Sequence, residues 1–179
     1  MDESSRIDAS AYIAQRGQPN TSSAPELIHA LFETLPRYCQ ALFGLRETDQ
    51  PVYLFNEHYV AKPAHSNVEF QRHQDGEKQL AMLRDLPPPY ISAWCPLDPI
   101  TPHNGPLTLE SWSKPEHIET PCLRPGSVVF FSSNLWHSSS INSSDNIRRV
   151  YYAQYSSTPI QIHHLPLCNA VPCFRDGRG

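Results

Sequence analysis

Apolar runs long enough to cross a bilayer are absent from this chain, since none approaches the ~20 residues that a membrane helix requires. No membrane partner is expected. No leader is expected: Met1-Asp2-Glu3-Ser4-Ser5 is acidic and polar where a signal peptide would be basic and then apolar. Residues 175–179 do not form a Ser-Lys-Leu peroxisomal address, so the expected location is cytoplasmic. An excess of positive charge is lacking as well. The net charge is −4, with lysines and arginines scattered rather than striped, and no nucleic-acid partner is expected. The five cysteines are odd in number and include no C-x-x-C pair, which argues against a disulfide framework or a zinc knuckle.

The remaining composition is that of an ordinary globular chain. Its 179 residues, 39% hydrophobic and 18% charged, suffice for one domain with a real core. The 18 prolines, several of them clustered as at 87–89, predict stiff connections rather than long helices. Residues 1–22 carry no periodic pattern and are read as a flexible segment, which leaves 23–179 as a single domain.

Ser23 and Glu26 have capping-box spacing, and Pro25 suits a first helical turn. The helix they start puts Leu27, Ile28, Leu31, Phe32 and Leu35 on one face, until Pro36 ends or kinks it; residues 38–43 add a turn or two before Gly44. Beyond Pro51 the texture is that of strands. Residues 52–55 and 58–61 fit a strand pair or one bulged strand, 90–97 another strand, and 77–86 a short helix. Asn104-Gly105 predicts a hairpin with 106–110 as partner, Pro125-Gly126 a turn before a strand at 127–131, and 148–155 a further strand. The tail after Tyr155 shows no clear element. Many short strands behind one helical region argue a mainly β fold, a double-stranded β-helix or cupin-like jelly roll.

The chemistry concentrates in Phe70-Gln71-Arg72-His73-Gln74-Asp75. His73 and Asp75 are two apart, so on a strand both side chains leave one face and can meet on one ion. With His137 from a distant strand they make two imidazoles and one carboxylate, the facial set that suits non-haem Fe(II). Eleven residues after His137 stands Arg148, whose planar fork can hold a carboxylate. Arg148 and Arg149 must point to opposite faces, so at most one looks inward; alternation alone does not choose between them. A histidine at 137 that merely satisfies a backbone carbonyl is the plainer alternative. His58, His65, His103, His117, His163 and His164 have no partner at ligand spacing and are read as ordinary histidines.

Taken in order, Arg72-His73-Gln74-Asp75-Gly76, Ala93-Trp94-Cys95-Pro96-Leu97-Asp98, His103-Asn104-Gly105-Pro106-Leu107, Pro125-Gly126-Ser127-Val128-Val129-Phe130 and His137 through Arg148 resemble the phytanoyl-CoA dioxygenase family. The resemblance implies an Fe(II)- and 2-oxoglutarate-dependent dioxygenase that uses O2, hydroxylates a small organic substrate and releases succinate and CO2. Ascorbate would be a supporting reductant. It selects Arg148 for the far carboxylate of 2-oxoglutarate, with Ser139, Trp94 and Lys62 lining the cosubstrate pocket; Gln71 and Tyr59 are candidates for the substrate side. An aspartate at 75, where related halogenases carry a small residue, points to hydroxylation or another oxygenase outcome.

The chain departs from the family where 109–114 replace the usual Pro-Gly-Ser-His stretch and its long insertion, and the N-terminal lobe is short. Those regions shape the substrate pocket, so the substrate class does not carry over. Such short loops leave the iron unusually open, or the second subunit of a homo-oligomer supplies the lid; both readings stay open. Two other readings stay open at this level: a metal-binding barrel without turnover, acting as a binding module, and a cupin-like metalloenzyme that uses no keto acid.

Overall fold

A computed structural model of the chain describes residues 25–46, 52–75, 88–112, 117–162, 165–166 and 171–173. They fall in two compact units, Glu57–Gln154 and the pair of segments Met1–Asn56 with Tyr155–Gly179. The expected helix at 77–86 and the flexible segment 1–22 lie outside the described residues.

The Glu57–Gln154 unit consists of two antiparallel sheets. In the first, the order is β1 (Tyr53–Lys62), β8 (Arg148–Ser156), β3 (Ile91–Pro96), β6 (Val129–Ser132), with β1 and β8 running on into the other unit. In the second it is β2 (Phe70–His73), β7 (His137–Ser139), β4 (Leu107–Glu110), β5 (His117–Glu119). Trp94, Ile100, Leu107, Phe131, Val150 and Tyr152 form the buried core. On β4, β6 and β8 the residues that build it are two apart, Leu107 and Leu109, Val129 and Phe131, Val150 and Tyr152, as the period of two requires. This is the jelly roll expected from the sequence. The segments expected at 52–55 and 58–61 belong to one continuous ten-residue strand, Tyr53–Lys62, rather than a pair.

The Asn104-Gly105 hairpin does not exist. β3 pairs with β6, whereas β4 pairs with β5 and β7 in the other sheet. Gly105 does take the turn conformation expected of it, with φ +77°, but Asn104 lacks the positive φ that an Asn-Gly hairpin turn also needs. What local chemistry does not specify is the sheet that the next strand joins. Here Asn104 folds the connection on itself: its side chain accepts from the Thr101 N–H at 2.9 Å and donates to the Pro99 carbonyl at 2.7 Å. A side chain at 105 is excluded, because a Cβ there would stand 2.5 Å from the Ser140 carbonyl oxygen.

In the other unit, α1 (Pro25–His29) continues through a π-helical turn (Ala30–Thr34) into α2 (Leu35–Leu42). Leu31 and Leu35 are buried, while Leu27, Ile28 and Phe32 are half-buried. The Leu35 N–H donates to the Ala30 carbonyl, five residues back. In that register the Leu31 carbonyl would need the N–H of residue 36, a proline that has none. The buried Tyr155 hydroxyl donates to it instead, at 2.9 Å. The tail is more ordered than its sequence suggests: β9 (Gln161–Ile162) pairs with β10 (Leu165–Pro166), and β11 (Val171–Pro172) pairs with the start of β1. No described helix is long and apolar enough to cross a membrane.

Candidate active site

His73 and His137 are direct cross-strand partners on β2 and β7, with ring centres 4.3 Å apart. The β2–β7 pairing shifts by one between Phe70 and His73. Such a bulge lets two residues three apart face the same way, and both Phe70 and His73 line one cavity. Each imidazole is oriented by the backbone two residues earlier. His73 Nδ1 lies 2.6 Å from the Gln71 carbonyl and His137 Nδ1 2.9 Å from the Leu135 carbonyl. A carbonyl only accepts, so both Nδ1 atoms donate and each Nε2 is the ring atom left to meet Asp75 or a metal.

Asp75 completes the group, though not by strand alternation, because β2 ends at His73. It is held from the facing sheet. Its Oδ2 accepts from Ser92 Oγ on β3 at 2.6 Å, and from Tyr152 Oη at 2.5 Å and Gln154 Nε2 at 3.1 Å on β8. Its Oδ1 faces His137 Nε2 at 3.4 Å and His73 Nε2 at 4.0 Å. One ligand atom from each of the three residues lies within 4.8 Å of the others. Neighbouring ligands around an ion with bonds of about 2.1 Å stand roughly 3 Å apart, so small side-chain shifts close the site on a metal. Burial pushes the Asp75 carboxyl upward. The hydrogen bond and charge of His137, with the Ser92 and Tyr152 hydroxyls, outweigh that and hold it below the ordinary value. Tyr152 shifts far upward, through burial and then the Asp75 charge, so its hydroxyl stays a donor.

Arg148 is 1% exposed on β8 and lines the same cavity. Its Nη2 donates to the Gly105 carbonyl at 2.9 Å and its Nε to the Asn104 carbonyl at 3.4 Å. The connection that is no hairpin is therefore the seat of the guanidinium. Trp94 lies along it, with the ring centre 5.7 Å from Cζ. Burial lowers the Arg148 pKa to about 10, which leaves it cationic at neutral pH. Arg149 points outward and is bound in a fork to Asp98 at 2.8 and 2.9 Å. Alternation along β8 thus places Arg148 inward.

Lys62 is fully buried at the inner end of β1. Its ammonium donates to Ser139 Oγ at 2.8 Å, to the Ser139 carbonyl at 3.1 Å and to the Ser140 carbonyl. Burial and the neighbouring Arg148 charge, opposed by Glu69, bring it down to about 8. Ser139 and Trp94 line the cavity. Of the nine residues picked from the sequence, seven meet in or directly behind this cavity. Tyr59 is 66% exposed and packs on Tyr151, and Gln71 is exposed beside Glu69; neither faces it.

Sequence reasoning passed over His58, Ser92, Tyr152 and Gln154. His58 lines the cavity two and four residues before Val60 and Lys62 on the same face of β1, with its ring 5.1 Å from that of Tyr152. Burial lowers its pKa, against the pull of the Asp75 charge. Alternation offered a signal for Tyr152 and Gln154, which stand four and six residues after Arg148 and share its face.

The fold recurs in solved structures. EvdO2 from Micromonospora carbonacea var. aurantiaca, complexed with 2-oxoglutarate, is 20% identical (TM-score 0.60; 78% of this chain, 65% of that one). EctD from S. alaskensis is 23% identical (TM-score 0.62; 80% and 57%) and has also been solved with 2-oxoglutarate and 5-hydroxyectoine. The α-ketoglutarate-dependent carbocyclase SnoK from nogalamycin biosynthesis is 16% identical (TM-score 0.63; 79% and 62%). The chain spans 57–65% of the length of these proteins. No curated protein sequence matches it. Four of the five ordered motifs first read from the sequence contribute lining residues to one cavity, and the phytanoyl-CoA dioxygenase (PhyH) profile matches residues 7–150, so the chain belongs to that family.

Proposed function

We propose that this protein is an Fe(II)- and 2-oxoglutarate-dependent oxygenase that hydroxylates a small organic molecule. The overall conversion is substrate C–H plus 2-oxoglutarate plus O2 to substrate C–OH plus succinate plus CO2. The observation that carries this reading is the pairing of a His73–Asp75–His137 ligand group with a buried Arg148 in a single cavity. A metal site alone would need no buried cation beside it. A keto acid that grips metal at one end and carries a second carboxylate at the other accounts for both.

The donor set fits Fe(II): two imidazoles whose Nε2 atoms face one carboxylate, with one ligand atom from each residue within 4.8 Å of the others. When bound, the iron supplies the activation of O2 and the oxidative decarboxylation of the keto acid. The chain supplies binding and orientation. Arg148 takes the far carboxylate with the N–H donors that the Asn104 and Gly105 carbonyls leave free, and Lys62, through Ser139, adds a second positive charge to that end. Trp94 walls the cosubstrate side. At the open side, His58, Val60 and Phe70 meet the substrate, in place of Gln71 and Tyr59.

The test is succinate formation from 2-oxoglutarate by the purified protein with Fe(II) and ascorbate, with and without a panel of small organic molecules. Succinate formed by the wild type and lost in Asp75→Ala supports the proposal. Metal binding without any keto-acid binding would overturn it.

A further inference from the structure

Asp75 divides its two oxygens between different tasks. Oδ2 accepts three hydrogen bonds, from Ser92, Tyr152 and Gln154, all three fully or almost fully buried. Three donors exhaust the lone-pair directions of a single carboxylate oxygen. Oδ1 faces the two imidazole Nε2 atoms. The three donors come from β3 and β8 in one sheet, whereas the two histidines come from β2 and β7 in the other. The carboxylate therefore ties the two sheets together at the cavity, beyond the end of the strand that should have aimed it.

We infer that Ser92, Tyr152 and Gln154 are positioning residues that clamp Asp75 through Oδ2, so that it offers the metal Oδ1 alone and leaves one coordination position more for cosubstrate and oxygen. This rests on the metal-centre reading above. A free carboxylate can swing to bind through both oxygens. An Oδ2 held by three neutral donors cannot, unless it gives up buried hydrogen bonds that no water replaces. The clamp is self-supporting, since Gln154 Nε2 also lies 3.3 Å from Ser92 Oγ. His58 packs on the ring of Tyr152 from the cavity side, which fixes the phenol further.

The experiment compares wild type, Tyr152→Phe, Ser92→Ala, Ser92→Thr, Asp75→Ala and Tyr155→Phe, each titrated with Co(II) by calorimetry and by visible d–d absorption. Tyr155→Phe is the control. It removes another buried phenol hydroxyl, whose partner is the Leu31 carbonyl. Loss of partners that orient a metal ligand costs about 10–100-fold in affinity. The expected result is such a loss in Tyr152→Phe and Ser92→Ala, with a changed d–d spectrum as the carboxylate turns. Ser92→Thr, which keeps the hydroxyl, restores both, and Tyr155→Phe melts earlier while binding Co(II) as the wild type does. Wild-type affinity and spectrum in Tyr152→Phe and Ser92→Ala would overturn the clamp and leave the metal centre standing. A wild type that binds no Co(II), or an Asp75→Ala variant that binds it equally well, would overturn the metal centre and the clamp together.

Discussion

His73 and His137 face each other across β2 and β7 with ring centres 4.3 Å apart, each locked through Nδ1 to a carbonyl two residues earlier in the chain. The two rings are thus aimed by backbone, before any ion arrives. A preformed site binds metal in the folded state only, so metal should stabilise the fold by mass action. At a hundredfold excess over Kd the gain is about 2.7 kcal/mol, or roughly 5–10 °C in Tm for a chain of this size. Differential scanning calorimetry with Mn(II) against EDTA should show that rise in the wild type. His137→Ala should show none.

Arg148 cannot be replaced by lysine without loss. Its fork spends donors on the Asn104 and Gly105 carbonyls and still has others for a ligand, whereas a lysine ammonium is a single point. Hydrogen bonds to charged groups contribute about 1.5–3 kcal/mol, so Arg148→Lys should weaken 2-oxoglutarate binding by roughly 10–100-fold. Mn(II) affinity should stay as it is, because Arg148 donates to none of the three ligand residues. Calorimetric titration of each ligand separately checks both halves.

Why the meeting of His73, Asp75, His137 and Arg148 at one cavity was legible, while that of the residues around them was not, has a physical answer. Metal ligands and a carboxylate anchor are restricted to a few residue types, so their order along the chain is informative. The donors to Asp75 are not restricted in that way: a serine, a tyrosine or a glutamine can each supply a hydrogen bond from any strand that passes. Their partnership exists only once β3 and β8 are known to face Asp75. Turn chemistry at Asn104-Gly105 was readable for the same local reason that its consequence was not. The glycine conformation is a local property, while the sheet that β4 joins depends on its pairing with β7, far along the chain.

Gly105 should tolerate no side chain. Alanine at φ +77° costs roughly 1–2 kcal/mol in backbone conformation alone, and its Cβ would meet the Ser140 carbonyl at 2.5 Å. The connection must then shift, and the seat of Arg148 shifts with it. Gly105→Ala should therefore lose at least about 2 kcal/mol in urea unfolding. Any folded fraction should bind 2-oxoglutarate more weakly than the wild type, with its Mn(II) affinity retained.

Lys62 gives the fold a pH dependence of unusual sign for a lysine. Its ammonium titrates near 8 in the folded chain, from burial first and the Arg148 charge second, against an ordinary value of 10.5. Below about 8 the group is protonated in both folded and unfolded chains, and the fold carries the full cost of burying the charge. Between about 8 and 10.5 the unfolded chain binds a proton that the folded chain has released, so raising the pH stabilises the fold through this group. The three oxygen acceptors around Nζ soften the penalty without removing it. Lys62→Met keeps much of the apolar stem and deletes the titration. Subtracting its urea-unfolding free energies from those of the wild type at pH 7, 8, 9 and 10 should leave a difference that shifts in favour of the wild type as the pH rises. A difference that stays flat, or that runs the other way, would mean that Lys62 keeps its ordinary proton affinity inside the fold.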